Sequence, residues 1–302
     1  MNNKVLSWFI LIVLSLVWGS SFILMKQGLK AFTSEEVAGL RITIASAFML
    51  PFLYKHFNFD VKKNLKGLIL MGVFGNLIPA FLFTKAETEI SSSLTGMLNA
   101  LTPMFTVVVG IIAFKQKASK MQFLGVFIGF IGAIALVLFG DHENDKTTGI
   151  IYSLMVAAAT LCYAISVNGI SVYLGNVNSV TATVWSFSLI GPIAAIYLFG
   201  FTDVIEHATS SEQGLISLGF ISILAIFGSA LSVIVYNVLI KMSGTVFAAS
   251  CTYLIPVVAI AWGLLDNESV NLLQVLSVVI IVAGIWMINY MSKPKTAIDR
   301  EI

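Results

Sequence analysis

The sequence predicts an all-α integral membrane protein: ten transmembrane helices in two inverted five-helix repeats, with N and C termini cytoplasmic. Three observations carry that prediction: charge is scarce, long apolar runs fill the chain, and basic residues crowd one set of connections. Of the 302 residues, 58% are hydrophobic and 11% charged, and mean hydropathy is +0.96. A soluble domain carries about 25% charged residues, so this chain needs lipid rather than water as its solvent. The net charge of +2 offers no basic surface to nucleic acid, and none is expected as a partner.

A helix needs roughly 20 apolar residues to cross about 30 Å of hydrocarbon. Such runs fall at 5–26, 36–54, 65–84, 91–114, 120–139, 149–172, 180–200, 214–238, 245–265 and 270–291. The first outlasts the apolar core of a signal peptide, and no small-residue cleavage site with a polar start follows it. It reads as a retained span. Alternation at period 2 is absent, so the runs are helices rather than barrel strands. With the N-terminus in the cytoplasm, the inner connections hold twelve basic residues: Lys4; Lys55, Lys62, Lys63 and Lys66; Lys115, Lys117 and Lys120; Lys241; Lys293, Lys295 and Arg300. The outer ones hold four, Lys26, Lys30, Lys85 and Lys146. That asymmetry puts both ends inside. The two cysteines, Cys162 and Cys251, lie far apart in apolar runs and read as small buried hydrophobes.

The polar stretch "GDHENDKTTG" separates five spans from five. Pro103 stands seven residues before Gly110, as Pro256 does before Gly263; Gln122 stands ten before Gly132, as Gln274 does before Gly284. These pairs fall in corresponding spans. The expected organisation is a repeat over 5–139, an extracytoplasmic loop over 140–148, a second repeat over 149–291 and a cytoplasmic tail over 292–302. Five is odd, so the second copy enters from the opposite side, which puts a substrate site at the repeat interface near mid-membrane.

These residues resemble the drug/metabolite transporter superfamily, specifically its EamA-type members. The resemblance rests on "WGSSF" with Lys26 in span 1, Arg41 early in span 2, and the Pro103 and Pro256 spans that each lead into a glycine-containing helix. It covers about 5–291. It implies a multi-pass protein of the bacterial inner membrane that exports amino acids or other small metabolites. Family members commonly carry a glutamate just after spans 4 and 9. Here the second is Glu268, but the first position is Gln116, so a hydrogen-bonding role is expected there.

Polar groups within a bilayer are costly and call for a reason. In span 4, Ser92, Thr95, Asn99, Thr102 and Thr106 recur at helical spacing and read as a cavity wall. Asn76, Phe83, Tyr163, Asn168, Ser229, Tyr236 and Thr252 are candidates on spans 3, 6, 8 and 9, with Trp18 and Ser21 on span 1. The alternative for each is helix packing. Hydroxyls, amides and rings together suit a small neutral or zwitterionic molecule. Pro103 and Pro256 are hinge or kink candidates. Lys26, Arg41 and Lys85 lie near the outer mouth, as structural anchors or attractors of an anionic group. Gly125, Gly129 and Gly132 in span 5 read as close packing within the chain or as a dimer seam, so both monomer and homodimer stand open.

No nucleotide loop, zinc motif or nucleophile elbow is present, so neither an enzyme nor a cofactor is expected; a membrane-embedded enzyme is the more remote alternative. The channel reading remains, since a polar stripe also lines pores. No acid lies deep in a span, so alternating access driven by the substrate gradient or by exchange is expected. Glu87 and Glu268, near span ends, remain as proton sites.

Overall fold

The computed structural model describes residues 3–140 and 146–290. Most of the 140–148 loop and the 292–302 tail, with Lys293, Lys295 and Arg300, lie outside the described residues. Eight helices are long and apolar enough to cross a membrane: α1 (Lys4–Gly28), α2 (Ser34–His56), α3 (Val61–Ala86), α4 (Ser92–Phe114), α5 (Lys120–Phe139), α6 (Thr147–Tyr173), α7 (Ser179–Phe201) and α8 (Glu212–Gly244). Two shorter apolar helices follow, α9 (Cys251–Leu265) and α10 (Leu272–Ile288). Among the described residues there are no strands. This is the all-α membrane fold that the hydropathy predicts.

The helices run up and down, as cross-links at two levels show. At one end Lys26 meets Glu268, Glu35 meets Lys85, and the Ser217 hydroxyl donates to the Gln27 carbonyl. At the other, Trp185 Nε1 donates to the His56 carbonyl and Ser243 bonds Ser7. The outer surface is apolar: Phe127, Ile196 and Phe199 are each more than half exposed, while Ser15, Ser153 and Thr183 are fully buried. That inversion of a soluble protein's pattern places lipid outside.

Helix starts are set by ordinary capping. Thr33 and Ser119 each close a capping box with Glu36 and Gln122. The glycines of α5 face inward. A Cβ on Gly125 would lie 2.5 Å from the Gly284 carbonyl oxygen, and one on Gly132 2.9 Å from the Ile281 nitrogen, so α5 and α10 meet backbone to backbone. Gly129 accommodates the Met104 sulfur of α4. The span 5 motif therefore packs within the chain.

Four helices are interrupted at matching places. α3 and α8 each contain a wide π-type segment, Leu70–Leu77 and Leu224–Leu231. α4 and α9 each contain a tight 3-10 turn, Asn99–Leu101 and Ser250–Tyr253, just before Pro103 and Pro256. Pro79 explains the first segment, because its missing N–H and its ring deny the Gly75 carbonyl a normal helical partner. Pro103 and Pro256 sit at the starts of resumed helices, where proline is tolerated, so each marks a kink.

Candidate functional site

The interruptions surround one central cavity with an empty volume, mouth included, of about 880 Å³. α1 contributes Trp18, Ser21, Phe22 and Met25, and α6 contributes Tyr163, Ser166, Val167 and Ile170. Both sets have the spacing of one helical face. α3 adds Met71, Gly75, Asn76 and Phe83; α4 adds Asn99 and Thr102; α8 adds Gly228, Val233, Tyr236 and Asn237; Thr252 comes from α9 and Arg41 from α2.

Wide helical turns leave backbone carbonyls for side chains, and the cavity rim uses them. Trp18 Nε1 donates to the Gly228 carbonyl at 3.0 Å, so the indole both lines the cavity and ties α1 to α8. Its ring meets Tyr236 edge-on with centroids 4.9 Å apart. Asn76 Nδ2 donates to the Met71 carbonyl at 3.0 Å. Phe83 stacks on Tyr163 and meets Phe22 edge-on. On the other side of α1, Gly19 faces Val258, and the Ser15 hydroxyl lies 2.9 Å from the Cys251 carbonyl, so the small residues of span 1 receive α9.

Three candidates face elsewhere. Thr95 is fully buried and its hydroxyl donates to the Ser91 carbonyl. The 3-10 turn sets Asn99 and Thr102, three residues apart, on one face that meets the cavity, whereas Thr95 lies one turn earlier, where α4 packs on α9. Asn168 donates to the Thr106 and Ala164 carbonyls and accepts from Gln116 Nε2 at 3.0 Å. It thereby joins α6 to α4, and Gln116 has the hydrogen-bonding role expected of it. Ser229 stands behind the wall and accepts from Arg41 Nε at 2.7 Å. The sequence reading missed Ser166, three residues after Tyr163, and Asn237, next to Tyr236. Helical spacing from Tyr163 pointed to the first; for Asn237 the wide turn of α8 hides the signal.

Arg41 is the one cation among the lining residues. Ser229 and, at 3.7 Å, the Met25 sulfur accept from it, and among the described residues no carboxylate lies within ion-pair distance. Asn237 supplies the opposite polarity. Its amide donates to Thr183 at 3.3 Å, while its buried carbonyl oxygen has no hydrogen-bond partner.

The end of the cavity beyond Met25 is crossed by an ionic cluster. Lys26 Nζ lies 2.7 Å from both Asp266 and Glu268. Glu268 also accepts from the Ser92 N–H and hydroxyl at 3.1 and 2.8 Å and from the Ser93 N–H at 2.9 Å. A carboxylate thus caps the start of α4, where free N–H groups and the helix dipole favour negative charge. Asn267 takes a left-handed turn, φ 60°, that folds Glu268 back over Gly263, where a Cβ would lie 2.7 Å from the carboxylate. Burial alone would raise the Glu268 carboxyl, but Lys26, Ser93 and Ser92 outweigh it and bring it down to about 2. Lys85 stays half-exposed, 3.5 Å from Glu35, away from this cluster.

The sequence profile of the EamA-like transporter family matches residues 6–138 and again 150–290. The chain belongs to that family. Over 285 residues it is 25% identical to the "Uncharacterized transporter YyaM" of Bacillus subtilis, covering 92% of each chain. It is 25% identical over 289 residues to the "Uncharacterized inner membrane transporter YedA" of Escherichia coli K12, covering 92% of this chain and 89% of that one. The "Probable amino-acid metabolite efflux pump" of Salmonella typhimurium matches at 25% over 293 residues, covering 92% and 93%. One crystal structure superposes with a TM-score of 0.65 at 13% identity, over 93% of this chain and 95% of that one, which shows a shared fold. The protein is a multi-pass membrane protein of a transporter family.

Proposed function

We propose that the protein exports amino acids or similar small zwitterionic or neutral metabolites across a bacterial inner membrane, by alternating access of the central cavity. The observation that carries the substrate class is the pairing of opposite polarities in one cavity. Arg41 offers charged donors without a carboxylate partner, and the Asn237 carbonyl offers a buried acceptor without a donor. A carboxylate on the first and an ammonium on the second satisfy both, and the aromatic walls take an apolar side chain. The Salmonella relative's name points the same way. In this reading the N-terminus is cytoplasmic and the Lys26–Glu268 cluster closes the outer end. The lining reaches Ile170, one turn before the Leu174 that packs on Gly67, so the cavity extends towards the cytoplasm.

Proteoliposomes loaded with a panel of amino acids test this by counterflow of labelled substrate. Saturable counterflow is expected, with Arg41→Gln raising KM at least about 30-fold, the cost of removing one partner of a desolvated charge pair. Ohmic conductance without counterflow identifies a channel instead. Equal uptake of amines that lack the carboxylate rejects the role given to Arg41.

A further inference from the structure

Glu87 follows directly on α3, and its backbone N–H still bonds the Phe83 carbonyl at 3.0 Å. It therefore stands one turn beyond Phe83 on the same helical face, between the cavity and the ionic cluster. The residue is 9% exposed, and both carboxyl oxygens are buried without a hydrogen-bond partner. Charged groups face it from three elements: Glu268 on the α9–α10 connection, Arg41 on α2 and Lys26 on α1. From α6, the Tyr163 ring covers Phe83 beneath it. Neither nearby cation forms a bond with it. Lys26 holds Glu268 and Asp266, and Arg41 Nε holds Ser229.

An ionised carboxylate with no donor costs several kcal/mol in such surroundings, so the neutral acid is the stable form. Burial, and then Glu268, hold the Glu87 carboxyl well above the ordinary carboxylate range, against the pull of Arg41 and Lys26. Glu268 itself is unsuited to carry a proton here, because four hydrogen bonds reach its carboxylate.

We propose that Glu87 is a proton-binding site of the transport cycle. Its carboxyl takes a proton from water as the Lys26–Glu268 contact closes over it, and returns that proton to water when the contact opens. One O–H bond forms and breaks, and nothing else changes covalently. The inference rests on the carrier reading, because it needs a contact that opens, and it adds a proton to the cycle driven by the substrate gradient or by exchange that the absence of acids deep in the spans implied.

The test has one arm that needs no substrate. Infrared spectra of the purified protein at neutral pH should show the carbonyl stretch of a buried protonated carboxyl, lost in Glu87→Gln and kept in Glu89→Gln. Glutamine copies the neutral acid, so Glu87→Gln should fold with an unchanged thermal midpoint. Failure to fold would mean that the charge is required and would overturn the inference. In the transport arm, wild-type counterflow of a labelled amino acid should fall about tenfold per pH unit above the Glu87 titration, while the Glu87→Gln rate should not vary with pH. Wild-type counterflow that is indifferent to pH, or an infrared band that survives Glu87→Gln, overturns the proton site and leaves the carrier reading standing. Absence of counterflow for every amino acid sinks the carrier reading, and the inference with it.

Discussion

Glu268→Gln keeps the side chain's size and removes its charge. The carboxylate accepts from Lys26 Nζ, from the Ser92 N–H and hydroxyl and from the Ser93 N–H. Those partners hold it at about 2, against an ordinary value of 4.5. At 1.36 kcal/mol per pH unit that gap is worth about 3 kcal/mol at most, and screening by water at this end reduces it to about 1–2 kcal/mol. Three of the four bonds reach Oε1, so an amide oxygen there still accepts, without the charge, but the amide N–H group then points at the Ser93 N–H that Oε2 accepted from. Losing about 1.4 kcal/mol from the closed arrangement multiplies the open population about tenfold. The assay is labelling of Ser21→Cys, a cavity position, by a membrane-impermeant maleimide from the Lys26 side, with Cys162 and Cys251 replaced by alanine. The labelling rate should rise about tenfold in Glu268→Gln. The pH dependence has a definite sign. A carboxylate whose folded value is depressed contributes stability above its unfolded value near 4.5 and loses it as pH falls through about 2. The wild-type thermal midpoint should therefore decline across that interval, and the decline should be smaller in the variant. Equal labelling and equal acid profiles would refute the claim that this cluster holds the end shut.

Two further variants probe the scaffold. Gly284→Leu should destabilise by more than about 3 kcal/mol, at or beyond the usual range for overpacking, because its Cβ would meet the Gly125 carbonyl oxygen at 2.5 Å and the Gly129 nitrogen at 2.7 Å, both backbone atoms; a thermal midpoint close to wild type would show that α5 and α10 are not in contact there. Trp18→Phe removes the donor to the Gly228 carbonyl while keeping a ring against Tyr236, so a loss of about 1 kcal/mol with altered substrate KM is expected, and an unchanged KM would reduce Trp18 to packing.

Spans were legible because lipid demands about 20 apolar residues per crossing, whatever the helices then do to one another. The cavity wall was legible as helical faces, not as depth along each helix. Trp18 and Ser21 keep their face along α1 and both reach the cavity. Thr95 and Asn99 are four residues apart on one helical face, yet only Asn99 lines the cavity, and Thr95 is fully buried where α4 packs on α9. Periodicity shows which residues share a face but not how far along the helix the cavity extends. Lys26 was equally ambiguous. Near a span end it reads as a rim lysine, and its two carboxylate partners lie about 240 residues away in the sequence. Long-range pairing leaves no local trace in one sequence.

Gln116 shows why this chain departs from the glutamate that its resemblance implies. The C-terminal ends of α4 and α9 share one local design. Lys115 takes a left-handed turn, φ 53°, as Asn267 does, and folds Gln116 back over Gly110 as Glu268 folds over Gly263. Their partners differ. Glu268 finds only donors, so a carboxylate fits. Gln116 faces Asn168, whose amide already donates to the Thr106 and Ala164 carbonyls, so its oxygen must be the acceptor. Flipping Asn168 would set two carbonyls against its oxygen. Position 116 therefore needs an N–H group, and Gln116→Glu would oppose a carboxylate to an acceptor. The buried Asn168 oxygen loses its donor, but side chain 116 is exposed to water, so the expected cost is about 1 kcal/mol, read as a lower thermal midpoint that recovers at acid pH, when the glutamate gains its proton and becomes a donor. Recovery follows from the sign: the folded state favours the protonated form, so stability is lost as pH rises. Gln116→Glu with wild-type stability at neutral pH would mean that Asn168 can turn, and that the amide at position 116 is not dictated by its neighbour.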